Sequence, residues 1–260
     1  NRPAGGRYEG RAGEVPGTAR EPRVKPFLLV LSAPSGGGKT TIAKMLLQGR
    51  DDLGYSVSAT TRPRRPGERN GVDYHFLSRD EFISRQESGE FLEWATYGGE
   101  LYGTLKSEID RIFSEGRHAV LDVEIEGARQ IRANFPNALL LFVLPPSASA
   151  LVERLVGRKT EDPQLVRERI VRAADELAAV AEYDYAILNE DLVVAVSQVA
   201  AILEAESWRV SRQDTLPEFI EQLRRDVVKA AERIGSKSSV ISRRSSDRSK
   251  ESRSSEFTDD

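Results

Sequence analysis

Cysteine is absent from the 260 residues, which excludes disulfides, thiolate metal ligands and cysteine nucleophiles together. Histidine is almost as scarce: His75 and His118 are too few for a histidine-based metal site. No apolar run reaches the roughly 18 residues that a membrane helix needs. The first residues lack the apolar stretch of a secretory signal and carry Glu9, Glu14 and Glu21, which argues against an organellar presequence. A reducing, cytoplasmic setting is the expectation. An excess of one charge sign is missing too: the net charge is −3 with 30% of residues charged. Nucleic-acid affinity would have to come from a local patch rather than from the field of the whole chain.

What is present suits one α/β domain with extensions. Residues 1–26 are rich in Gly, Pro and Arg without an apolar period, and read as a flexible leader. The chain starts at Asn1 rather than Met, as a fragment or a processed chain would. Short apolar runs suited to buried parallel strands occur at 27–31, 118–123, 139–144 and 185–188, with helical stretches between them. This alternation predicts a doubly wound parallel sheet. Between residues 56 and 104 the pattern becomes short, polar and Gly-interrupted with Tyr74, Phe76, Phe91, Trp94 and Tyr97, as in a small mixed subdomain inserted into the core segments 27–55 and 105–205. A helix over 193–205 closes the domain. A helical extension is expected within 206–235, where Phe219, Ile220, Leu223, Val227, Val228 and Ala231 fall near helical spacing. Residues 236–260, with Ser242 Arg243 Arg244 Ser245 Ser246, read as a disordered tail; the alternative is a segment that binds RNA or is phosphorylated.

Ala33 Pro34 Ser35 Gly36 Gly37 Gly38 Lys39 Thr40 has the spacing of the GxxxxGK[ST] phosphate loop, with Ala33 in place of the first glycine. It follows a predicted strand and opens a helix. In that context the glycines let backbone N–H groups converge on phosphate oxygens, and the helix N-terminus adds positive potential. Lys39 is placed to reach the β and γ phosphates, and Thr40 to offer a hydroxyl to Mg²⁺. Ala33 is tolerated if its φ is negative. This loop by itself implies only nucleoside triphosphate binding.

The acceptor is read from the next segment. Ser56 Val57 Ser58 Ala59 Thr60 Thr61 Arg62 Pro63 Arg64 Arg65 Pro66 Gly67 Glu68, then Gly71 Val72 Asp73 Tyr74 His75 Phe76, resembles the GMP-binding signature of the guanylate kinase family. The resemblance continues through Phe91 Leu92 Glu93 Trp94 Ala95 and Leu101 Tyr102 Gly103 Thr104, and covers residues 27–205. It implies a P-loop NTPase fold and ATP-dependent phosphorylation of GMP and dGMP. Chemically, Arg62, Arg64 and Arg65 offer forked donors to a phosphate monoester, and Tyr74 and Tyr102 offer phenolic donors. The family pattern assigns the GMP phosphate to Arg62, Arg65, Tyr74 and Tyr102, with Glu68 in the same set and Arg64 a bystander. It assigns guanine to Glu93 and Ser58, with Thr104 where the family often has Ser. A carboxylate accepts from guanine N1–H and the 2-amino group together, which adenine cannot match. The competing reading of Glu93 is an exposed acid beside a core Trp94.

The resemblance also places Asp122 in the Mg²⁺ shell through water and Glu124 on the GMP base or ribose. Glu126 Gly127 stands where the family has Gln-Gly. Gly157 Arg158 Lys159 Thr160 Glu161 resembles the mobile lid, spanning 157–169, with Arg158 and Arg169 as phosphate-bridging arginines and Arg154 a weaker member. Arg167 and Arg172 read as surface arginines. Thr41 joins the ATP site, and Asn189 either touches the ATP base or caps a helix. Two rival readings remain: a non-catalytic interaction domain, in which a working phosphate loop is typically lost, and a kinase for another acceptor such as AMP or UMP.

Overall fold

A computed structural model describes residues 24–156 and 163–234. Arg158 and the lid turn around it, the leader before residue 24 and the tail after 234 lie outside the described residues. The described residues divide into two units, Lys25–Arg212 and a second that includes Val24 and residues 213–234.

In the first unit β1 (Leu28–Ser32) is buried along its whole length, as an unbroken apolar run requires of a strand covered on both faces. The glycine-rich turn leads into α1 (Lys39–Gly49), and β2 (Leu53–Tyr55) follows. Gly54 lets β2 lie against a helix, since a Cβ there would sit 2.6 Å from Ile112 Cγ2. Next come β3 (Ala59–Thr60), β4 (His75–Phe76), α2 (Arg79–Glu87), β5 (Phe91–Tyr97) and β6 (Glu100–Leu105). The chain then returns to the core with α3 (Lys106–Ser114), β7 (His118–Asp122), α4 (Ile125–Asn134) and β8 (Leu139–Leu144). It finishes with α5 (Ala148–Val156), α6 (Pro163–Leu177), β9 (Tyr185–Leu188) and α7 (Leu192–Ser207).

The main sheet has the order β2-β7-β1-β8-β9, with every pairing parallel. Alternate residues of β1 feed opposite layers. Leu29 and Leu31 pack with Ile42, Leu46, Val199 and Leu203 of α1 and α7. Leu28 and Val30 pack with Ile109, Ile112, Ala128 and Ile131 of α3 and α4. This is the doubly wound parallel arrangement expected from the alternation of strands and helices. It brings the carboxyl ends of β1 and β7 side by side, where open α/β sheets bind ligands.

The inserted subdomain is a mixed sheet of order β4-β3-β6-β5 over its own small core of Ala59, Phe82, Phe91, Leu101 and Leu105. Between Phe91 and Glu93 the pairing with β6 shifts, so Phe91 lies opposite Leu105 and Glu93 opposite Thr104. Uninterrupted alternation would put Glu93 on the face of Phe91, inside the subdomain core; the bulge turns it to the face of Thr104. The two histidines are structural. The His118 ring lies tilted against Phe27 with centroids 4.0 Å apart and accepts the Phe27 backbone N–H, and His75 lies 3.2 Å from Glu108.

In the second unit Val24 bridges Gln213 in antiparallel fashion. A helix, α8, occupies 216–234. Its apolar side chains Phe219, Ile220, Leu223, Val227 and Val228 are exposed.

Candidate active site

The phosphate loop is built from backbone that only glycine adopts easily. Gly36 and Gly38 have φ of 82° and 93°, the left-handed region. Gly37 is needed for another reason: a Cβ there would meet the Ala33 Cβ at 2.6 Å. Among the described residues no non-glycine has positive φ, so Ala33 stands without strain where the first glycine of the motif is usual. Asn189 is buried, and its side-chain amide donates to Gly37 O at 2.9 Å. The helix-cap alternative for Asn189 is therefore corrected: Asp191 caps α7 by accepting from Val194 N at 2.9 Å, because Asn189 is turned inward to brace the loop. Thr41 sits exposed in the first turn of α1, and a Cβ at Gly36 would lie 3.5 Å from the Arg154 Cβ.

Lys39 Nζ is surrounded by acids. It donates to Glu124 Oε1 at 2.7 Å and lies 3.6 Å from Asp122 Oδ1. Burial alone would lower the Lys39 pKa, but Glu124 and Asp122 outweigh it and hold the ammonium above its ordinary range. The Thr40 hydroxyl donates to Asp122. Asp122 is itself pushed up by burial, against the pull of Lys39 and Thr40. A further carboxylate comes from α6: Glu176 accepts the Ser35 N–H at 3.0 Å. No local pattern announces Glu176, which acts across 141 residues of sequence.

A cavity of about 300 Å³ runs from Lys39, Thr40, Asp122 and Glu124 to Ser58, Tyr74, Tyr102 and Glu93. Thus residues from the two sheets meet in one cleft. At its far end Glu93 is buried and accepts from the Thr104 hydroxyl at 2.7 Å. Burial pushes its carboxyl up to about 7, with Thr104 opposing and Glu124 adding to the rise. The alternative of an exposed Glu93 beside a core Trp94 is reversed, for Glu93 is 6% and Trp94 37% exposed. Gly127 makes room for this carboxylate, since a Cβ there would lie 2.6 Å from Glu93 Oε2. Glu126, the added charge beside it, faces solvent and pairs with Arg129 at 3.4 Å.

Arg62 is held in a two-pronged contact by Glu68, at 2.8 and 3.1 Å, and its guanidinium lies over Tyr74 at 5.3 Å. Glu68 also accepts the Arg65 backbone N–H at 2.8 Å, so it orients the basic turn. The side chains of Arg64 and Arg65 are exposed. Arg169 sits half-buried on α6. Arg172 is exposed on α6, as read from the sequence, with its guanidinium over the Tyr97 ring at 5.8 Å. It thereby joins α6 to the inserted subdomain.

A second cavity, of about 280 Å³, lies at the opposite end of the main sheet among Phe27, Phe113, Phe135 and Arg212. It holds none of these site residues, and Arg212 there is neutralised by Glu206 at 2.8 Å.

Comparison with known proteins agrees with this geometry. The family model described as guanylate kinase matches residues 25–206. Guanylate kinase of Symbiobacterium thermophilum is 43% identical over 188 residues, 72% of this chain and 89% of that protein. The Thermotoga maritima enzyme is 43% identical over 197 residues, 75% of this chain and 95% of that one. Among solved structures, guanylate kinase from Anaplasma phagocytophilum matches with a TM-score of 0.63 at 31% identity, covering 77% of this chain and 95% of the other.

Proposed function

The chain belongs to the guanylate kinase family and uses ATP to phosphorylate GMP to GDP, and from that premise we propose how its residues divide the work. The triphosphate lies on Ala33 to Thr41, with Lys39 on the β and γ phosphates. Arg62, Arg65, Tyr74 and Tyr102 hold the GMP phosphate, with Glu68 fixing the direction of Arg62. Glu93, with Ser58 and Thr104, reads guanine. The observation that carries this reading is the buried Glu93–Thr104 pair at one end of the cavity whose other end is Lys39.

Transfer is direct and in line. An oxygen of the GMP phosphate attacks the γ-phosphorus, the bond to the β–γ bridging oxygen breaks, and ADP departs with that electron pair. No side-chain nucleophile is required. The protein's task is positioning and the neutralisation of charge that spreads over the transferred group. Lys39 meets that charge from the loop, and Arg158 and Arg169 meet it from the lid. Closure of lid and acceptor subdomain excludes water, which limits hydrolysis of ATP.

The Thr40 hydroxyl and the Asp122 carboxylate fit a Mg²⁺ shell. Asp122 Oδ1 is buried without a hydrogen-bond partner, and both groups are the hard oxygen donors that magnesium takes directly or through water. Magnesium bound with ATP supplies charge neutralisation at the β and γ phosphates. Base and phosphate carry the recognition, so dGMP is accepted as well. Among the described residues no helix is long and apolar enough to cross a membrane. The cytoplasm is the proposed site of action, on the cysteine-free composition and the supply of both nucleotides there.

The test is an acceptor panel of GMP, dGMP, AMP and UMP at equal concentration, read by ADP release. Turnover with GMP and dGMP alone is expected. Equal rates with AMP would refute the role given to Glu93, and ATP turnover independent of any acceptor would refute the kinase reading.

A further inference from the structure

Lys39 of the phosphate loop and Glu124 at the start of α4 line the same end of the cavity and are joined at 2.7 Å. Lys39 is 16% exposed and Glu124 48%, so the lysine is fixed in the wall while the carboxylate stands in open space. Glu124 is also the N-cap residue of α4, and its side chain makes no capping hydrogen bond. An acid at that position ordinarily turns back onto the first helical N–H groups. Here it reaches away to the lysine, so moving it costs α4 no cap.

The charges around Lys39 make this contact consequential. Asp122, Glu124 and Glu176 all act on the one ammonium. With Glu124 seated, an incoming triphosphate meets a lysine already neutralised and a carboxylate in its path. The pair must break before Lys39 can serve the phosphates. Broken with nothing in exchange, Glu124 is left facing phosphate oxygens of its own sign. Guanine and ribose supply the exchange, because their N–H and O–H groups are donors and the cavity that would hold them is continuous with Glu124.

We infer that Glu124 is a positioning residue that clamps Lys39 while the acceptor pocket is empty and is drawn off by GMP, so that acceptor binding frees the phosphate loop for ATP. This rests on the proposed function, in which GMP occupies the pocket beside Glu124. The coupling is reciprocal: each nucleotide strengthens the other by the same factor. It also keeps Lys39 from serving ATP when no acceptor is present to receive the phosphoryl group.

The experiment is calorimetric titration of the full chain with a non-hydrolysable ATP analogue and magnesium, with and without GMP, and of GMP with and without the analogue. The wild-type chain should show mutual enhancement of at least about fivefold, the lower end of ordinary allosteric coupling. Glu124→Gln, which keeps the shape and removes the charge, should bind the analogue alone at least about fivefold more tightly, and GMP should then add little. Glu124→Ala should do the same if the glutamine variant is poorly folded. An unchanged or weaker analogue affinity in both variants overturns the inference, as does full enhancement by GMP in either. A wild-type chain that does not bind GMP overturns the functional premise. One that binds both nucleotides without mutual enhancement overturns the exchange alone.

Discussion

Burial pushes the Glu93 carboxyl up to about 7, while guanine requires it ionised. Below that pH a growing share of the free protein carries a neutral Glu93, which cannot accept from N1–H and the 2-amino group together. The KM for GMP should therefore fall as pH rises toward 7, by at most about tenfold per unit, and level off above it. A KM flat from pH 5.5 to 8 would remove Glu93 from the base site. Stability runs the opposite way. The folded pKa lies above the unfolded value of 4.5, so the stability held below the unfolded pKa is lost as pH rises through 7. Glu93→Gln should raise the melting temperature at pH 8, by roughly 2–4 °C for a gain on the order of 1 kcal/mol, and have less effect at pH 5. The same variant should lose GMP turnover. Lys39 behaves otherwise: Lys39→Ala should remove most turnover and leave GMP binding measurable by calorimetry, because the lysine is proposed to serve the triphosphate. Unchanged turnover in that variant would contradict the loop assignment.

Helix α4 is placed by its contact with β5, and Gly127 is the point of closest approach. Ala is the better helix former by roughly 0.5–1 kcal/mol, but its Cβ would lie 2.6 Å from Glu93 Oε2. The clash falls on the Glu93 carboxylate, which is proposed to read guanine. Gly127→Ala should thus weaken GMP binding by about tenfold or more, equivalent to roughly 1.4 kcal/mol, with kcat less affected; an unaltered KM for GMP would place the two elements further apart than described. At this scale the sequence is legible where structure is contiguous. Strands β1, β7 and β8 show as apolar runs because both their faces are covered, and β9 shows as a short apolar run although Ala186 and Leu188 are exposed. The phosphate loop shows because its lysine, hydroxyl and glycines are neighbours. Strand β2 does not show, being three residues long and held by its pairing with β7. The bulge in β5 is equally silent, and with it the direction of Glu93 and Trp94. Glu176 and Asn189 reach the phosphate loop through contacts between residues far apart in the chain, so local reading leaves Glu176 unmarked and Asn189 divided between the ATP base and a helix cap.

The chain divides its length between a catalytic unit and a second unit that carries exposed apolar side chains on α8. Leu223 and Val227 are 51% and 60% exposed, so Leu223→Glu with Val227→Glu should leave the melting temperature of the catalytic unit and its kcat unchanged. A large loss in either would mean that α8 supports the nucleotide fold. Deleting residues 236–260 should be equally silent in steady-state kinetics. Within the catalytic unit, core and acceptor subdomain are tied at Trp94, whose backbone N–H and C=O both bond the Gln130 side chain of α4, at 3.1 and 2.8 Å. Two tryptophans occur in the chain, Trp94 and Trp208. A Trp208→Phe background would leave one indole, on the strand that carries Glu93 and next to the joint between the sheets. Its emission would then follow GMP entry in real time without any added dye, and stopped-flow traces would time the closing of the cleft separately from the transfer of phosphate.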